Sequence, residues 1–320
     1  MPKQARLIAL DWGTSSLRAY LLAEAGAVIE EVAFPWGIMA TPDGDFAKAL
    51  EKATGAWRLR QPELPMIAAG MIGSAQGWRE IPYVACPAGE EELVAAATGQ
   101  WNEGRAILPI IPGLALGGDI PGVMRGEETQ IVGALALAPH LAENAMLVLP
   151  GTHSKWVTVR HGKIERFTTY LTGELFAVLS KHSILGRPAQ DARTKSENER
   201  HALSWQAFDQ GVMAISQDPA RGLSPLLFST RSLVLSGRLS ASASLDYLSG
   251  LLLGEELRCA LAERATKNAA PLALIGEKAL CERYLRALTL FGITDVPVIE
   301  GAAAMGLWRI AAGIVSRTAS

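Results

Sequence analysis

Cysteine is scarce in this chain: Cys86, Cys259 and Cys281 are its only three in 320 residues, and they stand far apart. The chain has no Cys-x-x-Cys pair, and no histidine lies at metal-ligand spacing from these thiols. An odd set of isolated cysteines argues against a disulfide framework and against a structural zinc site. We therefore expect reduced thiols, as in a cytosolic protein.

The chain also lacks a charge excess and a long apolar run. Its formal net charge is -2, and its lysines and arginines are scattered, which argues against a nucleic-acid or anionic-membrane partner. No apolar run reaches the ~18 residues of a membrane helix or forms a signal peptide, so we expect a cytoplasmic protein. With 49% hydrophobic and 19% charged residues, the composition predicts a soluble globular protein with room for two domains.

Both common nucleotide-loop patterns, the Walker loop and Gly-x-Gly-x-x-Gly, are absent. In their place, residues 7–22 form a strand–turn–strand pattern: an apolar run ends at Asp11, Gly13 permits a tight turn, and an alternating strand follows. Backbone N–H groups and small hydroxyls at such a tip can bind phosphate oxygens, and Asp11 can hold the water shell of Mg²⁺. An ordinary hairpin with a polar tip is the alternative.

A second copy of this pattern lies in the other half of the chain. Residues 146–159 again run from an apolar strand through Gly151-Thr152-His153-Ser154 into an alternating strand. Two turns of one design predict a duplicated domain in which each copy presents a phosphate-binding tip to a shared cleft. Chance recurrence of a short pattern is the alternative.

Two carboxylates, Glu127 and Glu128, begin a predicted helix that follows a glycine-dense segment expected to be irregular, residues 114–124. They can simply complement the helix dipole, or one can be the general base for a hydroxyl nucleophile. A further helix is predicted to begin with Thr172 as its N-cap.

Two glycine-rich strand ends are also candidate ligand sites. The buried strand 66–70 leads into a glycine-rich loop that ends at Trp78, which can bind substrate or can be a tight turn packed on the core. Gly276 follows the strand 272–275, and a glycine there leaves room for a base or a sugar beside the backbone.

Together these motifs resemble the 2-dehydro-3-deoxygalactonokinase family. The resemblance rests on five segments in order: Asp11 to Arg18, Ala69 to Ser74, Val123 to Gln130, Leu149 to Trp156 and Thr172 to Leu175. It extends over essentially the whole chain, although residues 186–245 carry no matching motif.

The resemblance implies the α/β fold of actin-like ATPases and sugar kinases, with two ribonuclease H-like domains around a central ATP cleft. The first domain is expected at residues 1–140, with one phosphate hairpin and the sugar-acid loops. The second is expected at residues 141–300, with the other hairpin and the adenosine site. Residues 301–320 are expected to form a terminal helix that packs back on the first domain and crosses the helix from Glu127.

The resemblance also assigns roles to residues, with ATP and Mg²⁺ as cofactors. Asp11 would bind Mg²⁺ through water, Gly13, Thr14 and Ser15 would contact the β- and γ-phosphates, Gly151, Thr152 and Ser154 would form the second phosphate loop, and Gly276 would border the adenosine. The general base stays open among Glu127, Glu128 and Asp119; analogy with related phosphatases favours Glu128. Donors to the substrate carboxylate stay open among Arg18, Arg125 and the loop of Gly70, Met71, Gly73 and Ser74.

The implied reaction transfers the γ-phosphate of ATP to the 6-hydroxyl of 2-dehydro-3-deoxy-D-galactonate, in D-galactonate and galactose catabolism. The alternatives are a kinase of the same fold for another sugar or sugar acid, and a non-catalytic sugar-acid sensor. The oligomeric state stays open, with a homodimer among the alternatives.

Overall fold

The computed structural model describes residues 4–98, 108–190, 204–265 and 270–318. The strands are β1 (Ala5–Trp12), β2 (Leu17–Ala23), β3 (Val28–Phe34), β4 (Met66–Ala69), β5 (Val84–Ala85), β6 (Leu114–Leu116), β7 (Gly122–Met124), β8 (Asn144–Leu149), β9 (Ser154–Arg160), β10 (Lys163–Tyr170), β11 (Leu272–Ile275) and β12 (Val298–Ile299). The helices are α1 (Phe46–Arg60), α2 (Glu90–Thr98), α3 (Glu127–Leu137), α4 (Thr172–His182), α5 (Trp205–Ser216), α6 (Leu223–Leu227), α7 (Ser229–Leu235), α8 (Ser244–Ala265), α9 (Lys278–Leu290) and α10 (Ala302–Thr318).

The first sheet confirms the predicted hairpin and places it at the centre. Its strand order is β3-β2-β1-β4. β2 runs antiparallel to β1 and β3, whereas β4 runs parallel to β1. Because β4 reaches its place through the crossover helix α1, its C-terminal end lies beside the C-terminal end of β1. Asp11 therefore pairs with Ala69, immediately before the glycine-rich loop.

The second large sheet repeats this design. Its order is β10-β9-β8-β11-β12, so its first four strands follow the same order as those of the first sheet. In both sheets a three-stranded meander is extended on the far side by a strand that arrives after helices. The repeat predicted from the two hairpins is therefore confirmed at the level of sheet topology, as is the α/β fold.

Two local predictions were wrong. The segment 114–124 is not irregular, because β6 and β7 pair antiparallel within it, joined by a glycine turn, and β6 also pairs with β5. Thr172 is not an N-cap: Leu171 precedes the helix, and Thr172 is its first residue. The hydroxyl of Thr172 donates instead to the buried carboxylate of Glu256, so a tertiary partner takes the place of the cap.

The chain divides into two compact units. One comprises Met1–Leu147, Val157–Thr168 and Ile299–Ser320, and the other comprises Val148–Trp156 and Thr169–Val298. The domain limits expected from the sequence stay a prediction. None of the described helices combines the length and the apolar character needed to span a membrane.

Within the first unit, α3 and α10 cross with their backbones in contact. A Cβ on Gly306 would lie 1.8 Å from Thr129 O, and a Cβ on Gly133 would lie 1.9 Å from Ala302 O. Only glycine permits such an approach. This crossing fixes the start of α3, where Glu127 and Glu128 lie.

Candidate active site

The first phosphate-type turn, residues 13–16, lies between β1 and β2 and is supported from two directions. Within the turn, the N–H of Gly13 donates to Ser16 O at 2.9 Å. From outside, Gly37 approaches so closely that a Cβ there would lie 2.0 Å from Thr14 O. The three hydroxyl residues of the tip remain exposed. No sequence pattern assigns Gly37 to this site, and only its Pro-Trp-Gly context marks a turn.

Asp11, the residue before the last of β1, lies directly opposite Arg18 of β2. Burial is the main influence on its carboxyl and raises its pKa from 3.8 to about 6. The positive charge of Arg18 lowers that pKa, and the negative charge of Glu127 raises it. Asp11 and Glu127 are distant in sequence, but the structure places them close enough for the charge of Glu127 to affect the Asp11 carboxyl.

Glu127 and Glu128 begin α3, as predicted, but their surroundings differ. Glu128 is fully buried: the N–H of Gly126 donates to its Oε2 at 2.7 Å, and Thr129 Oγ1 donates to its Oε1 at 3.0 Å. Burial and then the charge of Glu127 raise the pKa of Glu128 from 4.5 to about 7, although these hydrogen bonds lower it. Glu127 is partly exposed, and its Oε2 accepts the N–H of Arg125 at 3.0 Å. Of the two carboxylates, only Glu127 has access to solvent.

Asp119, the third candidate base, lies in the exposed turn between β6 and β7. Its charge is not among those that shift the pKa of Asp11 or of Glu128 in the described part of the chain. The structure therefore does not bring Asp119 together with the other three carboxylates.

The loop that follows β4 touches both the hairpin and the start of α3. Gly70 has a φ of +98°, and a Cβ on it would lie 2.6 Å from Trp12 O. A Cβ on Gly126 would lie 3.3 Å from Gly70 Cα. Since Trp12 follows Asp11 and Gly126 precedes Glu127, these contacts place the loop beside Asp11 and Glu127.

Arg125 and Ser74 are buried polar residues of this loop region, with exposed fractions of 8% and 6%. Arg125 Nη2 donates to Ile81 O at 2.7 Å, and its guanidinium carbon lies 4.2 Å from the centre of the Tyr83 ring. A Cβ on Gly73 would lie 2.9 Å from Arg125 Nη1. Among the described residues, Arg125 Nε, Arg125 Nη1 and Ser74 Oγ find no hydrogen-bond partner. Three buried donors thus face no protein acceptor.

Two other residues predicted to contact the substrate carboxylate, Arg18 and Met71, have different surroundings. Arg18 is exposed and lies opposite Asp11. Met71 begins the 3₁₀ turn Met71–Gly73 and packs against the hydrophobic core of the first sheet. Arg18 thus belongs to the hairpin, and Met71 anchors the loop.

The second phosphate-type turn, between β8 and β9, belongs to the other unit. A Cβ on Gly151 would meet no described atom within 4 Å, so this backbone is open to a ligand. A Cβ on Gly173 would lie 2.5 Å from Gly151 O, and the N–H of Glu174 donates to Thr152 O at 3.0 Å. The first turn of α4 therefore supports the phosphate-type turn, as Gly37 supports the first one.

Two residues with different surroundings border the second turn. Lys155 has an exposed fraction of 4%, and its Nζ donates to His153 O at 3.2 Å. Gly276 follows β11, and a Cβ there would lie 3.6 Å from Cys281 Sγ and from Pro150 Cδ. Gly276 is thus adjacent to the second turn, where a Cβ would make ordinary contacts.

Glu256 of α8 is a buried carboxylate that no sequence pattern assigns to the site. It accepts hydrogen bonds from Trp156 Nε1 at 2.8 Å, from the hydroxyl of Tyr284 at 2.9 Å, and from Thr172 Oγ1. Ser154 is fully buried, and its hydroxyl donates to Tyr170 O at 3.5 Å. Burial raises the pKa of Glu256, and these donors lower it. The carboxylate of Glu256 therefore links β9, which follows the second turn, to the helices α4, α8 and α9.

Comparison with known proteins gives consistent results. The family model described as 2-keto-3-deoxy-galactonokinase matches residues 11–310. A Rhizobium meliloti (strain 1021) protein named as a probable 2-dehydro-3-deoxygalactonokinase is 37% identical, over 94% of this chain and 97% of its own. The Escherichia coli (strain K12) protein named 2-dehydro-3-deoxygalactonokinase is 33% identical, over 93% of this chain and 94% of its own.

A solved structure agrees with the fold. The crystal structure of a protein from Sinorhizobium meliloti, provisionally named as a 2-dehydro-3-deoxygalactonokinase, has a TM-score of 0.81 and 34% sequence identity to this chain. The match covers 95% of this chain and 98% of that one. With the family model spanning nearly every residue, this chain belongs to the 2-keto-3-deoxy-galactonokinase family.

Proposed function

We propose that this chain transfers the γ-phosphoryl group of ATP to the 6-hydroxyl of 2-dehydro-3-deoxy-D-galactonate, within galactonate catabolism in the cytoplasm. Relatives at 33–37% identity carry the name of this kinase. The observation that carries the proposal is the group formed by Asp11, Glu127 and Glu128 beside a glycine-rich loop with unpaired buried donors. The proposal includes a homodimer, which sedimentation velocity would test.

The surroundings of Asp11 fit a magnesium site. Mg²⁺ is usually held by one or two carboxylates together with waters and substrate phosphates. Accordingly, no group of three or more His, Cys, Asp or Glu side chains in the described residues forms a complete protein cage. Burial, and to a smaller extent the charge of Glu127, raise the pKa of Asp11 and so make its ionised form costly, and a bound cation would stabilise that form. When bound there, Mg²⁺ would neutralise charge on the phosphates of ATP.

Each of the two turns is proposed to bind phosphate groups of ATP. Thr14 and Ser15 are exposed and would offer donors to the β- and γ-phosphates, which would approach the backbone at Gly13, whose own N–H is bonded to Ser16 O. Gly151 and Thr152 offer open backbone in the second loop, with Gly276 adjacent to it for the adenosine. Ser154 is proposed to support that loop from below, because it is fully buried and its hydroxyl donates to Tyr170 O.

Glu127 is proposed as the general base and Glu128 as the residue that positions it. A base must reach the hydroxyl whose proton it accepts, and Glu127 is partly exposed and electrostatically coupled to Asp11. Glu128 is enclosed, and both of its oxygens already accept bonds from neighbours in α3 and its N-terminus. The exposed position of Asp119 does not favour it for this role.

The proposal is tested by an ADP-release assay with Mg²⁺-ATP. The acceptors are 2-dehydro-3-deoxy-D-galactonate, its gluconate epimer and neutral hexoses, with Asp11→Asn as the inactive control. Turnover confined to the galactonate compound is the expected result. Turnover with another acceptor would keep the kinase and replace the substrate. No turnover with any acceptor would favour a non-catalytic sugar-acid sensor.

A further inference from the structure

Arg125 carries a buried charge that the protein leaves unpaired. Its exposed fraction is 8%, and among the described residues only Ile81 O accepts from its guanidinium, while Nε and Nη1 have no partner. No described carboxylate forms an ion pair with it. Burying an unpaired guanidinium is costly, so such a group persists where a ligand supplies the missing anion.

The neighbouring residues add a further donor and a partly exposed aromatic cover. Ser74 Oγ is also buried without a partner, and it follows Gly73, whose missing Cβ leaves room for Arg125 Nη1. The ring of Tyr83 stacks on the guanidinium while its own exposed fraction is 42%. Tyr83 is therefore the part of this cover that faces solvent.

Arg18 does not offer the same chemistry. It lies opposite Asp11, and its positive charge lowers the pKa of that carboxyl, so its charge already interacts with a carboxylate of the hairpin. It is also exposed, and an exposed arginine holds an anion weakly because water screens the pair. Of the two arginines that the sequence leaves open, the geometry favours Arg125.

We propose that Arg125 and Ser74 form a subsite for the carboxylate of a 2-oxo acid and thereby select acidic acceptors over neutral sugars. The guanidinium fork binds a carboxylate through parallel N–H donors, and the serine hydroxyl donates to the adjacent oxygen. The acceptor's identity rests on the proposed function. The subsite also makes a claim that does not depend on turnover: it binds a small 2-oxo carboxylate.

Kinetics test the subsite in the working enzyme. In Arg125→Met, the KM for 2-dehydro-3-deoxy-D-galactonate should rise about 10²- to 10³-fold while the KM for ATP stays unchanged. Arg125→Lys should fall between this variant and the wild type, since it keeps the charge without the fork, and Ser74→Ala should raise the KM about tenfold. Arg58→Met, which removes a half-exposed arginine of α1 that pairs with Glu51, is the matched control. A loss of kcat with an unchanged acceptor KM would mean that Arg125 is only structural, and would overturn the subsite.

A binding experiment separates this inference from the proposed function. Pyruvate carries the 2-oxo carboxylate but no hydroxyl to phosphorylate, and methyl pyruvate lacks the charge. By saturation-transfer NMR, pyruvate should bind the wild type and not Arg125→Met, and methyl pyruvate should bind neither. If the wild type fails to phosphorylate the sugar acid but shows this pattern, the proposed function fails and the subsite stands. Equal pyruvate binding by both proteins, or by neither, overturns the subsite.

Discussion

Glu128 should destabilise the folded protein at the pH where the enzyme works, and Glu128→Gln should remove that cost. The carboxyl is fully buried, and its pKa of about 7 exceeds the ordinary value of 4.5. At 1.36 kcal/mol per pH unit, this difference corresponds to about 3 kcal/mol. Gln is nearly isosteric and can still accept from Gly126 and bond to Thr129, so the substitution removes charge more than packing.

The sign of the effect follows from proton linkage. The folded protein holds the Glu128 proton more tightly than the unfolded chain does, because its folded-state pKa is raised. The contribution of the Glu128 carboxyl to the free energy of unfolding is therefore fully present below about pH 4.5 and is lost as the pH rises through about 7. Gln does not titrate, so the free energy of unfolding of the variant should exceed that of the wild type by an amount that grows to about 3 kcal/mol by pH 8.

Urea unfolding at pH 5 to 9, in EDTA and without nucleotide, would measure this difference. The control is Glu80→Gln, which removes an exposed carboxylate of the same unit and should change stability little, because exposed charges interact weakly. A difference between Glu128→Gln and the wild type that stays constant from pH 5 to 9 would refute the reasoning. It would mean that the buried carboxyl does not titrate in this range.

Three further predictions concern other parts of the molecule. Asp11→Asn should abolish phosphoryl transfer while sugar-acid binding is retained; normal turnover in the ADP-release assay would contradict the assigned role. Gly306→Ala should lower the free energy of unfolding by about 1–3 kcal/mol or more, because its Cβ would lie 1.8 Å from Thr129 O, whereas Gly117→Ala, with open space around it, should have little effect in the same denaturation experiment. Glu256→Gln should lower stability by about 1–3 kcal/mol and raise the KM for ATP, because an amide cannot accept from Trp156, Thr172 and Tyr284 together; an unchanged KM would separate this network from the second turn.

Local pattern predicted the elements that hold the phosphate-type turns. The apolar run ending at Asp11 and the alternating strand after Gly13 both form as expected, because period-two patterning and a glycine turn suffice to specify a hairpin. The start of α3 at Glu127 was also correct. These features depend on residues close together in sequence, which is the information that a single chain displays directly.

Features that depend on distant partners could not be predicted in the same way. Gly37 matters because Thr14 lies against it, and Glu256 matters because Trp156 and Tyr284 converge on it. Neither glutamate burial nor close backbone approach has a local signature. The sequence could not decide between Glu127 and Glu128 for the same reason, because two adjacent glutamates differ only in the residues that surround them in the fold.

Three buried charges, on Glu128, Arg125 and Glu256, illustrate how the surroundings decide what such a group does. Glu256 is surrounded by donors and holds structure together. Glu128 has two donors yet keeps a raised pKa, first because it is buried and second because Glu127 lies beside it. Its burial is therefore better explained by the position it gives that neighbour than by stability. Among the described residues, only Ile81 O accepts a hydrogen bond from the Arg125 guanidinium. The buried Nε and Nη1 of Arg125 have no hydrogen-bond partner there. Because an unpaired buried charge is the most costly of the three, Arg125 is where a ligand should increase stability most, and pyruvate should raise the thermal midpoint of the wild type but not of Arg125→Met.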